Sequence, residues 1–328
     1  MNKKYKLLFI TYLIFIISIT IFLSTNIINK GNLGFFIFNG TNNELPQLKL
    51  EFRRQSNNIL LHIELVPNCV GYFDGIFVRL PITMIKINSD GFRDREFSIH
   101  KPRDAFRIIA LGDSMTFGLG LDIEDTWPKQ LENKLNALNN SINYEVLNFG
   151  VPGYNTFEEV EMFKEKGIKY NPDMILLGFL VNDILNNTRM VEIINNLRSV
   201  ENLNLRKDIS REASLAILAN DIQQKEINNR PFNDTWNIVE DSIDFLINYS
   251  KQKNVKLLII VFTADENQMN ALKEISNRNN IILVDLQKEV YSKYPDEILI
   301  LNPKDTHPSE FACSLIADKI IENIFKNN

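Results

Sequence analysis

Five apolar runs of strand length constrain this chain more than any other feature: 106–111, 144–149, 174–179, 255–262 and 281–286. They read "FRIIAL", "YEVLNF", "MILLGF", "VKLLIIVF" and "IILVDL". Little polar alternation interrupts them, which is the pattern of strands covered on both faces. Helical patterns lie between. "DTWPKQLENKLNAL" has Asp125 or Thr126 as N-cap and Pro128 in its first turn, with Leu131, Leu135 and Leu138 along one face. Two more run from Thr156 to Gly167 and onward from Ser309. Strands alternating with helices predict an α/β fold with a mostly parallel five-stranded sheet over residues 105–328. The polar, helix-prone stretch at about 186–235 is too long for a plain crossover and is expected as an insertion or lid.

Ahead of this domain, residues 31–104 are expected to hold a tether and a small β-rich addition. Residues 24–45 are polar. The short runs "LKLEF", "ILLHIELV", "GIFVRL" and "MIKIN" follow, punctuated by Pro and Gly. "INSDGFRDREF" then turns the chain into the main domain.

Residues 1–30 are expected to form a cytoplasmic tip and a transmembrane helix. The uncharged run Leu7–Leu23 just reaches the roughly 17–25 residues a bilayer span needs. Lys3, Lys4 and Lys6 precede it, which predicts a single-pass protein of the cell membrane with its working domain outside the cytoplasm. The competing expectation is a cleaved signal peptide, but "STNIINKG" offers no clear small-x-small cleavage site.

A net charge of −5 and a body free of basic clusters argue against a nucleic-acid partner. Cys69 and Cys313 are the only cysteines, and they either pair or stand apart as small buried residues. No Cys/His spacing marks a metal site, and no cofactor is indicated.

In an open parallel sheet, ligands bind beyond the carboxyl ends of the strands. The first run stops there at Gly112-Asp113-Ser114, the second at Asn148-Phe149-Gly150, and the third near Asn182-Asp183. Asp305 and His307 stand just before the last helix. Each alone has a plain structural explanation as a turn, a loop glycine, a helix cap or a solvated histidine. Together they make a serine acyl-transfer site. Ser114 is a nucleophile once His307 takes its proton, and Asp305 would hold the imidazole in the right tautomer. The N–H groups of Ser114 and Gly150, with the Asn182 amide, would receive the oxyanion. Trp127 and Tyr154 are open between lining this pocket and packing the core.

In this chain order, Gly112-Asp113-Ser114, Gly150, Asn182-Asp183 and Asp305/His307 resemble the blocks of the SGNH hydrolase (GDSL esterase/lipase) family. The resemblance covers about 88–185 and 255–326 and implies a three-layer α/β/α, flavodoxin-like sandwich. It also implies Ser114 as nucleophile, His307 as base, and Ser114, Gly150 and Asn182 as oxyanion donors. Two departures stand out. Leu180 occupies the place of the family's third-block glycine, and Asp305 lies two residues before His307 where three is usual. The expected function is a serine-dependent esterase releasing an acyl or acetyl group from a carbohydrate or lipid. The alternatives are an O-acyltransferase of envelope glycans using the same site, and an inactive binding or assembly module.

Overall fold

The computed structural model of the chain describes residues 36–38, 52–58, 60–73, 80–81, 83–138, 141–184, 222, 232–302 and 305–326. Its first part forms five short strands: β1 (Phe36–Phe38), β2 (Arg53–Gln55), β3 (Ile63–Leu65), β4 (Val70–Phe73) and β5 (Thr83–Lys86). β4 pairs with β1 and β5, and β2 pairs with β3, all antiparallel. β3 and β5 fall in predicted runs. β1 interrupts the expected tether, where Phe36-Ile37-Phe38 is apolar enough to pair, and the "GIFVRL" run lies mostly outside the described residues.

Phe35–Asn328 forms one contact unit. Phe52, Leu61, Leu65, Cys69, Ile85 and Phe92 share a single core with Ile109, Leu147 and Ile175 of the main sheet. The strands of the addition are too short to bury a core of their own, so they complete the larger one.

The main sheet comprises β6 (Ala105–Gly112), β7 (Asn143–Gly150), β8 (Met174–Phe179), β9 (Lys256–Val261) and β10 (Ile282–Asp285). All pairs are parallel, in the order β10-β9-β8-β6-β7. Counted from the first strand this is 2-1-3-4-5, the order of flavodoxin-like sheets. Successive residues feed opposite cores, as strand geometry requires. Ile109, Leu111, Ile175, Leu177 and Ile259 enter one, and Ile108, Ala110, Leu176, Leu258 and Ile260 the other. That double burial is why the runs show no polar alternation.

The helices are α1 (Ser114–Phe117), α2 (Trp127–Asn136), α3 (Thr156–Met162), α4 (Phe232–Lys253), α5 (Glu266–Asn279), α6 (Asp296–Leu299) and α7 (Glu310–Lys326). α2 and α7 supply Leu131, Leu135, Ile316 and Ile320 to one core; α3, α4 and α5 supply Val160, Ile243, Leu246 and Leu272 to the other. The architecture is three layers with helices on both faces. Thr126 occupies the N-cap position of α2, but its hydroxyl donates to Ile123 O at 2.7 Å rather than capping the helix. α3 ends earlier than the pattern suggested, widening into a π-turn over Phe163–Gly167.

Between α6 and α7 runs a two-stranded antiparallel ribbon, β11 (Ile300–Asn302) and β12 (Asp305–Pro308). The expected insertion lies almost wholly outside the described residues; its last positions open α4. The run Leu7–Leu23 is outside them too. Among the described residues no helix is long and apolar enough to cross a membrane. Cys69 and Cys313 are both free and buried, which settles the open pairing in favour of two separate residues.

Candidate active site

β6 ends at Gly112, directly opposite Gly150 at the end of β7. Close approach requires glycine at both positions. A Cβ on Gly112 would lie 2.0 Å from Thr116 Oγ1, and one on Gly150 would lie 2.2 Å from the backbone nitrogen of Phe117. The single-turn helix α1 therefore rests its backbone on the end of β7. Asp113 caps it, accepting from the Met115 N–H at 2.9 Å, and Gly118 ends it with φ of 78°. Ser114 is fixed at the first helical position, half-buried above the sheet edge.

The "GFRDREF" segment is more than a turn. Arg93 is fully buried and donates to the carbonyls of Phe117 (3.0 Å), Gly118 (2.6 Å) and Leu121 (2.5 Å). It thus binds the carboxyl end of the helix that carries Ser114. Asp94 accepts from the Asn148 N–H at 2.9 Å and pairs with Lys129 at 2.7 Å. One short strap thereby ties α1, β7 and α2 together from within.

His307 arrives from β12, 193 residues after Ser114, with Nε2 at 2.8 Å from Ser114 Oγ. The ribbon is held at its far end by Ser309, whose N–H donates to Leu299 O at 2.8 Å and whose hydroxyl donates to Ile298 O at 2.6 Å. Asp305 opens β12 opposite Asn302. Its side chain, and with it the expected contact to the imidazole, lies outside the described residues.

Asn182 sits in a short 3-10 turn, Val181–Ile184, after β8. Asp183 closes this turn by accepting from the Leu180 N–H at 3.1 Å, and Gln268 donates to Val181 O at 3.0 Å. Asn182 Oδ1 is buried and has no hydrogen-bond partner among the described residues. Leu180, in the place of the family's glycine, packs against the core on the α2/α7 face. The Gly150 N–H, expected as an oxyanion donor, donates instead to Asn148 Oδ1 at 2.9 Å. It would serve an oxyanion only in exchange for that bond. Gly153, later in the same turn, is exposed with φ of 89°.

Asp113 is a structural acid here. Burial raises its carboxyl above the ordinary range, opposed by the Met115 N–H and the charge of His307. Trp127 and Tyr154 belong to the core: Trp127 packs on Phe262, and the Tyr154 hydroxyl donates to Ile63 O at 2.6 Å. Among the described residues no three His, Cys, Asp or Glu side chains are grouped to hold a metal ion. The sequence reading missed Arg93, Asp94 and the buried Glu159. One signal was present for Glu159: an acid on the same helical face as Thr156 and Phe163, where apolar residues belong.

Several solved structures are similar to the chain at low identity. Esterase EstA from Pseudoalteromonas sp. is 18% identical, over 68% of this chain and 99% of that one, with a TM-score of 0.44. A two-domain esterase active on acetylated mannans is 17% identical, over 68% of this chain and 49% of that one, at 0.42. The lipase/acylhydrolase from Enterococcus faecalis is 15% identical, over 68% and 96%, at 0.41. No curated protein matches the sequence. The family model for GDSL-like lipases and acylhydrolases matches residues 110–311, a span that opens at the end of β6 and closes just beyond His307. The chain belongs to the GDSL-like lipase/acylhydrolase family and is a hydrolase acting on esters.

Proposed function

We propose that Ser114 is the nucleophile and His307 the general base of a serine esterase that releases an acyl group from an acylated carbohydrate or lipid. The observation that carries this reading is the 2.8 Å contact between Ser114 Oγ and His307 Nε2. As Oγ attacks the ester carbonyl, its proton passes to Nε2. The charge that develops on the carbonyl oxygen is met by the Ser114 N–H and the Asn182 amide, with Gly150 joining by giving up its Asn148 bond. Collapse expels the alcohol, which takes the proton back from His307. Water, deprotonated by the same imidazole, then attacks the acyl-enzyme and restores Ser114. Asp305 is the carboxylate proposed to orient His307.

The same proposal places the enzyme at the cell membrane with its catalytic domain outside the cytoplasm. The lysines and apolar run of residues 3–23 support it. Ser114→Ala is expected to abolish both fluorophosphonate labelling and release of acid from a short-chain ester. Continued turnover by this variant would refute the assignment. Protease protection of the intact cell's enzyme would refute the topology.

A further inference from the structure

Three buried carboxyl groups that the proposed chemistry does not use lie on the segments of Ser114 and Asn182 and on α3, whose Thr156 bonds the Asn182 turn: Asp113, Asp183 and Glu159. Asp113 precedes Ser114, and Asp183 follows Asn182. Glu159, on α3, is fully buried, and neither of its carboxyl oxygens has a hydrogen-bond partner among the described residues. Asp183 is better provided. Its Oδ2 accepts from the Thr156 hydroxyl at 2.9 Å and the Leu180 N–H at 3.1 Å, while Oδ1 is unpartnered. Asp113 has the Met115 N–H and the neighbouring charge of His307. The charged groups acting on Glu159 are Asp183, Asp113 and its own neighbour Glu158, all negative.

Three ionised carboxylates buried together, with only the imidazole of His307 beside Asp113 to supply positive charge, are not a stable arrangement. A proton is retained, and it belongs on the group with the fewest donors. We propose that Glu159 is a positioning residue, held as the neutral acid beside Asp113 and Asp183, so that one proton keeps the Ser114 and Asn182 segments in register. Burial first, and then the charges of Asp183 and Asp113, raise Glu159 well above the ordinary glutamate range. Losing that proton would set a new charge beside both segments.

The sign of the linkage follows. Above the ordinary glutamate range the unfolded chain gives up this proton while the folded protein keeps it. Stability therefore falls as pH rises, until the raised folded value is passed. Glu159→Gln keeps a donor and removes the titration. Above about pH 5.5, the unfolding constant of the wild type relative to Glu159→Gln is expected to climb about tenfold per pH unit until the raised folded value is reached. A flat ratio would overturn the proposal.

The kinetic arm rests on the catalytic roles proposed above. Near neutral pH Glu159→Gln should keep kcat within about threefold and extend the alkaline limb of the pH profile, while Glu159→Ala should lower kcat about tenfold or more with little change in KM. An unmoved alkaline limb in Glu159→Gln, or a kcat loss in it equal to that of Glu159→Ala, would overturn it. If Glu159→Ala fails to fold, the glutamine variant decides alone. Should Ser114→Ala remain active, the catalytic reading fails, and the unfolding arm still decides where the proton resides.

Discussion

The guanidinium of Arg93 donates to Gly118 O at 2.6 Å, so a residue of the N-terminal addition holds the C-cap carbonyl of the helix that carries Ser114. Burial pulls Arg93 down to about 10, which leaves it charged at neutral pH. Arg93→Met preserves the stem and removes the donors to three buried carbonyls. At about 1 kcal/mol or more for each group left unpaired, the loss should reach about 3 kcal/mol or more in urea unfolding. Arg93→Lys should fall between, because one ammonium cannot reproduce the fork.

Gly150 and Gly153 stand three residues apart in one turn and should respond differently to alanine. At Gly150 the new Cβ meets backbone at 2.2 Å, and α1 must move with Ser114 on it. Turnover of a short-chain ester should drop at least about a hundredfold, since small displacements of reacting groups are costly. At Gly153 the nearest atom to a new Cβ is 3.8 Å away. There the cost is confined to a positive φ, about 1 kcal/mol of melting stability.

Those contrasts separate what was legible in the sequence from what was not. The runs that became β6 to β10 were readable because burial on both faces leaves little polar alternation in a strand. Their flavodoxin-like arrangement was implied by the family resemblance, and the residues at their carboxyl ends were readable because each follows its strand immediately. Arg93 and Asp94 were not. Clustered charge in "RDRE" ordinarily marks a solvated turn, and only the fold shows that Arg93 reaches carbonyls 24 to 28 residues onward. Glu159 was marked only by its place on the face of α3 shared with Thr156 and Phe163, which does not show whether the acid is kept neutral. The N-terminal strands were only partly legible. Three- and four-residue strands carry too short a period, and their partners are set by the larger core.

The pair Lys129–Asp94, 2.7 Å apart, is almost wholly buried, and Lys129 also donates to Val146 O at 2.8 Å. Lys129→Met should destabilise the protein by about 3–5 kcal/mol near neutral pH, because it strands a carboxylate. Burial already raises Asp94 above its usual range, and removing the lysine raises it further. An acid raised in the folded state costs stability above its unfolded value, so the deficit should shrink as pH falls toward about 4. Asp94→Asn combined with Lys129→Met should recover part of the loss. Denaturant midpoints at two pH values measure both effects.

Neither thiol should react in the native protein. Burial pushes Cys69 up to about 11 and Cys313 higher still. With so little thiolate at pH 8, a disulfide reagent should titrate no thiols in the fold and two after denaturation. A reductant should leave the melting temperature unchanged.

The central claim is that the imidazole of His307 activates the hydroxyl of Ser114 across their 2.8 Å contact. Its most direct test is the second-order rate at which a fluorophosphonate modifies Ser114, located by peptide mass spectrometry, in the wild type and in His307→Ala. A single adduct on Ser114 is expected in the wild type, with the rate lowered about a thousandfold or more without the histidine. Equal rates in the two proteins, or an adduct on a different residue, would contradict it.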